Sequence, residues 1–114
     1  ELLMNNLGDP MLINQLNDLS LKLTHGIKLM GKYGREYADA ERAYKVALAK
    51  KALELRDRGM PVTLIDKVIY GKVADERFER DTAKVMYMTA QEHINAIKLQ
   101  IRILDNQIDR EYRG

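Results

Sequence analysis

From Ala83 to Ile108 the apolar positions Ala83, Tyr87, Ala90, Ile94, Ile97, Ile101, Leu104 and Ile108 recur at alternating spacings of four and three, with neither Gly nor Pro among the residues between them. A strand would alternate at every second residue. A four-three repeat held for more than three heptads predicts a helix that buries one narrow seam against another helix. The full run from Ala74 to Tyr112 then corresponds to a helix about 57 Å long, so a partner of similar length is needed beside it. The same repeat runs upstream through Leu12, Leu16, Leu19, Leu23, Gly26, Met30, Tyr33, Tyr37, Ala40, Tyr44 and Ala47, then slips one place to Leu48, Ala52 and Leu55. The slip reads as a local change in winding. Gly26, Gly31 and Gly34 each cost a helix interior up to about 1 kcal/mol relative to Ala. Because the register passes through them, one continuous helix is favoured over a break near Gly31-Lys32-Tyr33-Gly34.

Between the two long repeats the stop signals are compact. Arg58-Gly59-Met60-Pro61 ends the first helix, since Gly accepts the left-handed conformation and Pro cannot continue the ladder. Thr63 with Asp66 three residues later resembles a weakened capping box for a short helix, Leu64 to Tyr70, stopped by Gly71. Asp75, Glu76 and Glu79 fall in the first turns of the last helix, where negative charge suits the dipole, and Glu76–Arg80 and Arg77–Asp81 are spaced for i,i+4 contacts. Two long helices joined by so short a connection fold back antiparallel. Counting outward from the bend places Tyr44 near Tyr87, Tyr37 near Ile94 and Met30 near Ile101, with the short helix capping the open end. The expected fold is therefore all-α: a long, coiled-coil-like antiparallel hairpin with a short helix at its turn. Residues 1–10 form a lead-in, with Gly8-Asp9-Pro10 as a turn and helix start, and residues 11–114 form a single domain.

A second apolar set lies off the seam. Val85, Met88, Ala96, Leu99 and Ile103 occupy the far side of the last helix, and Ala43, Val46, Ala49 and Leu53 a similar side of the first. A two-helix hairpin cannot cover both sides of its own helices. Either the N-terminal segment folds back as a third helix after a break at the glycines, or other copies of the chain cover these faces. Self-association through Val46, Leu53, Val85, Met88, Leu99 and Ile103, giving an oligomeric bundle, is the favoured expectation.

Composition narrows the function classes. The 114 residues contain one Phe, no Trp and no Cys, and carry a formal charge of +2. That is a long-helix profile, with no disulfide framework and no thiolate metal site. No apolar run approaches a membrane span, and Glu1-Leu2-Leu3-Met4 lacks the basic start of a signal peptide. His25 and His93 are the only histidines, and Gln91-Glu92-His93-Ile94-Asn95 is not a His-Glu-x-x-His metal helix. Asp75, Glu76, Glu79 and Asp81 are interleaved with Arg77 and Arg80, which suits a salt-bridged helix start better than an ion site. No catalytic triad, phosphate loop or Cys/His cluster is present, so no enzymatic activity and no cofactor are expected. Near the bend, Lys50, Lys51, Arg56, Arg58, Lys67 and Lys72 surround fewer acids (Glu54, Asp57, Asp66), so this tip is a candidate contact for phosphate backbones. Tyr33, Tyr37 and Tyr44 stand at seam spacing and read as packing residues.

Several segments are similar to a family of small helical proteins carried by tailed phages and prophages of Gram-positive bacteria. They are residues 37–44 from Tyr37 to Tyr44, 55–65 from Leu55 to Ile65, 77–81 from Arg77 to Asp81, 98–104 from Lys98 to Leu104, and 107–111 from Gln107 to Glu111. The resemblance spans roughly residues 30 to 113. It implies a setting in the bacterial host cytoplasm during infection, among early genes for replication and recombination, and assigns no residue a role. Three expectations follow: a self-associating scaffold or interaction module, a nucleic-acid accessory factor acting through the basic tip, or an inhibitor docking on a host protein by helix-in-groove contact.

Overall fold

A computed structural model describes residues 10–113. The fold is an all-α helical hairpin of three helices: α1, Pro10–Asp57; α2, Val62–Lys72; and α3, Ala74–Arg113. No strand occurs among the described residues. Helix α1 runs without interruption through Gly26, Gly31 and Gly34. Pro10 is its first residue, a position where the missing N–H costs nothing. The rest of the expected lead-in lies outside the described residues.

The corner follows from backbone chemistry. Gly59 adopts φ +87°, its N–H donates to the Arg56 carbonyl (2.9 Å), and the Met60 N–H donates to that of Leu55 (3.1 Å). These are the two bonds of a Schellman motif, which satisfies carbonyls that the helix end leaves open. The accompanying apolar contact is also present, with Met60 packed against the cluster of Leu55, Ile65 and Ile69. A non-Gly residue at position 59 would be strained in this left-handed conformation.

Helix α2 starts two residues earlier than Thr63 suggests, and it runs through Gly71. Extended Pro61 is the N-cap residue, with no side-chain cap. Its carbonyl accepts from the Leu64 and Ile65 N–H groups, both at 3.0 Å. The capping-box expectation is therefore corrected: the helix begins at Val62, so Thr63 lies inside its first turn, and the N-cap position falls to Pro61, whose ring has no acceptor. Val73 alone links α2 to α3; its N–H donates to the Ile69 carbonyl (3.1 Å) and its carbonyl accepts from Arg77 (3.0 Å).

The chain forms two compact units. The corner unit is Lys32–Met88, and the terminal unit joins the described residues up to Gly31 with those from Thr89 onward. In the corner unit the short helix lies on the last turns of α1: Ile65 and Ile69 join Leu55 in a buried cluster, with Leu48, Ala52 and Val68 packed against it. Since α2 already occupies those turns, α3 begins opposite an earlier part of α1. The expected register is off by seven residues at Tyr87, which meets Tyr37 where Tyr44 was expected, and by eleven at Ile94, which meets Gly26 where Tyr37 was expected. The Tyr37 and Tyr87 ring centroids are 6.1 Å apart, and Tyr44 instead lies under Arg80. In the terminal unit Ile94 faces Gly26, and the seam residues Leu12, Ile94, Ile97 and Leu104 are buried.

Two glycines mark close approach between helices. A Cβ on Gly34 would stand 3.1 Å from Tyr87 Cε1, and one on Gly26 would stand 3.3 Å from Ile94 Cγ1, whereas a Cβ on Gly31 meets nothing within 4 Å. Gly31→Ala should therefore stabilise the fold by about 0.5–1 kcal/mol through helix propensity and reduced unfolded-state entropy. Gly34→Leu should destabilise it by about 1–3 kcal/mol through overpacking. Thermal melts followed by circular dichroism check both signs, and equal shifts would refute the close packing of α1 on Tyr87.

Candidate interaction surfaces

All six residues expected to form an interface are exposed. In the corner unit these are Val46 and Leu53 on α1 and Val85 and Met88 on α3, and in the terminal unit Leu99 and Ile103 on α3. The sequence reading missed others. Phe78, the only phenylalanine, is 71% exposed, and Met86 is also open. With Glu36, Ala40, Glu79, Thr82 and Ala83 these two line a shallow depression in the corner unit. Heptad arithmetic would have found Phe78, which stands seven residues before Val85 and so shares its outward direction.

The terminal unit carries an open groove of about 390 Å³. Leu19, Ile103 and Leu104 line it together with Gln15, Asp18, Lys22, Gln100 and Gln107. A lining that mixes branched apolar with amide and charged side chains suits an amphipathic side-chain ridge better than a small polar substrate. His25 and His93 are both exposed, and the described residues hold no group of three or more His, Cys, Asp or Glu side chains able to grip a metal ion.

The basic residues gather in the corner unit but are not equally free. The Glu54 carboxylate accepts from Lys51 Nζ at 3.0 Å and from Arg58 Nη2 at 2.7 Å. The hydrogen bond and charge of Lys51, then the charges of Arg58 and Lys72, hold the Glu54 carboxyl below its ordinary pKa. A depressed carboxylate contributes stability above its unfolded pKa and loses it as pH falls through the lower folded value. Glu54 is solvent-accessible, so that contribution is small and screened by salt. Lys50, Arg56, Lys67 and Lys72 are exposed and make no ion pair within 4.0 Å among the described residues.

Arg80 has a role that its sequence position concealed. Only 21% of its side chain is exposed. Its guanidinium carbon sits 4.6 Å from the centroid of the Tyr44 ring, Nε donates to Asp81 at 2.7 Å, and Nη1 lies 3.6 Å from Glu41. The hydrogen bond to Asp81 is the main influence raising its pKa; burial opposes it, and the charges of Asp81 and Glu41 add to it. Neither of the expected pairs, Glu76–Arg80 or Arg77–Asp81, is among the ion pairs. Arg80 reaches across to α1 because a long stem can lie along the seam and stack on an aromatic face, and Arg77 likewise lies over Tyr70, at 5.8 Å.

No helix among the described residues is long and apolar enough to cross a membrane. Comparison with family models, curated proteins and solved structures finds no match to this chain. The class that the fold defines is an all-α helical hairpin.

Proposed function

We propose that the protein is a non-enzymatic, self-associating helical module, and that a second copy of the chain covers the apolar faces the hairpin leaves open. One observation carries this reading. Among the described residues fifteen large apolar side chains are exposed, from Met11 to Tyr112, against nine buried ones that make up the core. Monomers rarely leave so much apolar surface in water. The outward residues Phe78 and Val85 repeat at seven, the same period as the seam. A face with that period finds its match in another helix of the same repeat, and a second copy supplies one without any further gene product. The resemblance to phage and prophage proteins supports the bacterial host cytoplasm as the place of assembly.

Sedimentation velocity over a wide range of protein concentration tests the reading. The wild type should sediment as a dimer or larger assembly. Val85→Lys with Met88→Lys in the corner unit, and Leu99→Lys with Ile103→Lys in the terminal unit, should each weaken association by about tenfold or more, while the helical circular dichroism stays unchanged. A wild-type monomer at every concentration would overturn the proposal.

A further inference from the structure

The geometry points to the outer side of α2 and the adjoining turns of α1 and α3 as a platform for single-stranded nucleic acid, held by its phosphates and by stacking of a base on Tyr70. Charge distribution is the first support. Between Lys50 and Lys72 there are six cations against three carboxylates, a local excess of +3, while the chain as a whole carries +2. The remainder nets −1 but is not uniform: residues 19–35 hold Lys22, Lys28, Lys32 and Arg35 against no carboxylate, so the corner is one of two cationic stretches and is set apart by what lies beside its cations.

The pairing pattern is the second support. Glu54 absorbs Lys51 and Arg58, and Lys72 is close enough to act on the same carboxylate, which brings the end of α2 beside the last turns of α1. Three cations around one carboxylate leave a net positive site. Exposed Arg56 and Lys67 carry no ion pair among the described residues, whereas Lys50, two residues from both Leu48 and Ala52, which pack toward α2, faces the other side of α1. Phosphodiester oxygens are the anions that such dispersed, water-facing cations hold best, through release of condensed counterions.

The aromatic is the third. Tyr70 lies three residues after Lys67 on the same helix and is 52% exposed, although its neighbour Ile69 is buried. The Arg77 guanidinium lies over its ring. A tyrosine that is open to solvent, backed by a guanidinium and preceded one turn earlier by Lys67 combines the two elements of strand binding, a stacking face and a cationic contact. A duplex keeps its bases stacked on one another and would gain nothing from Tyr70, so the platform favours unpaired strands.

Fluorescence anisotropy with a labelled oligothymidylate, and with a duplex of equal length, tests the proposal on the full chain. The single strand should bind more tightly than the duplex at low salt. If about four cations contact phosphates, the logarithm of affinity should fall against the logarithm of salt with a slope of about −3. The combined variant Arg56→Gln, Lys67→Gln and Lys72→Gln should lose most of that slope, and Lys50→Gln alone should leave it unchanged. Tyr70→Ala should weaken the single strand by about tenfold and leave the duplex unchanged. These positions are exposed, so unchanged melting curves verify that each variant is folded. Absence of binding at low salt, equal affinity for strand and duplex, indifference to Tyr70→Ala, or preferential binding to anionic phospholipid vesicles would each overturn the proposal. Sedimentation of the Val85/Met88 and Leu99/Ile103 variants reads positions outside this platform, so the two proposals stand or fall separately.

Discussion

Replacing Ile97 by Asp is expected to abolish the cooperative thermal transition and most of the helical signal. Ile97 is 3% exposed in the terminal unit, and Ile94, one turn earlier, is 4% exposed. Truncating such a side chain alone costs about 2–5 kcal/mol. The introduced carboxylate adds the penalty of an unpaired charge removed from water. The total is comparable with the whole stability of a small protein, about 5–15 kcal/mol, and long helices deprived of their tertiary seam hold little structure of their own. Asn106→Asp supplies the control, since Asn106 is exposed on α3 and the same carboxylate there should shift stability by no more than about 0.5 kcal/mol. Circular dichroism melts of the two variants decide the matter. Similar curves would mean that the seam has been assigned to the wrong face of α3.

The seam was legible because helix geometry alone dictates it. Between residues 83 and 108 the expected seam positions are the ones shielded from water, and every residue between them is exposed. The terminating glycine was equally legible, because only Gly sits comfortably at φ +87°. Register was not. A repeat of seven looks the same after a shift of seven, so the spacing of Tyr37, Tyr44 and Tyr87 cannot say which tyrosines meet. What fixes the register is the footprint of α2 on Leu48, Ala52 and Leu55, a tertiary contact with no local signature. The start of α2 was hidden for a related reason: its N-cap position is Pro61, with no side-chain cap, so no capping residue marks it in the sequence. Arg80 was passed over because a charged residue reads as a gap in an apolar repeat. Its spacing of three before Ala83 nonetheless continues the series, and stacking on Tyr44 lets it occupy a seam position. Of the candidate surfaces, the exposure of Val46, Leu53, Val85, Met88, Leu99 and Ile103 was legible because they lie off the seam. Which cations Glu54 neutralises depended on rotamers and on the approach of Lys72.

Leu55 and Leu53 give a second large effect, from identical chemistry two residues apart. Leu55 is 3% exposed and Leu53 is 59% exposed. Leu55 also holds the third-from-last helical position of the Schellman motif, where its carbonyl accepts from Met60 and its side chain packs with Ile65 and Ile69. Leu55→Ala should cost about 2–5 kcal/mol, because α2 is too short to close over the resulting cavity without moving. Hydrogen exchange should show the loss first in α2, whose amides depend on this cluster for protection. Leu53→Ala should change stability by no more than about 0.5 kcal/mol while weakening self-association, since Leu53 belongs to the open face. A matched pair of denaturation and sedimentation experiments separates the two roles. If Leu53→Ala destabilised the fold as much as Leu55→Ala, the inner and outer faces of α1 would have to be exchanged, and the proposed self-association would lose its surface in the corner unit.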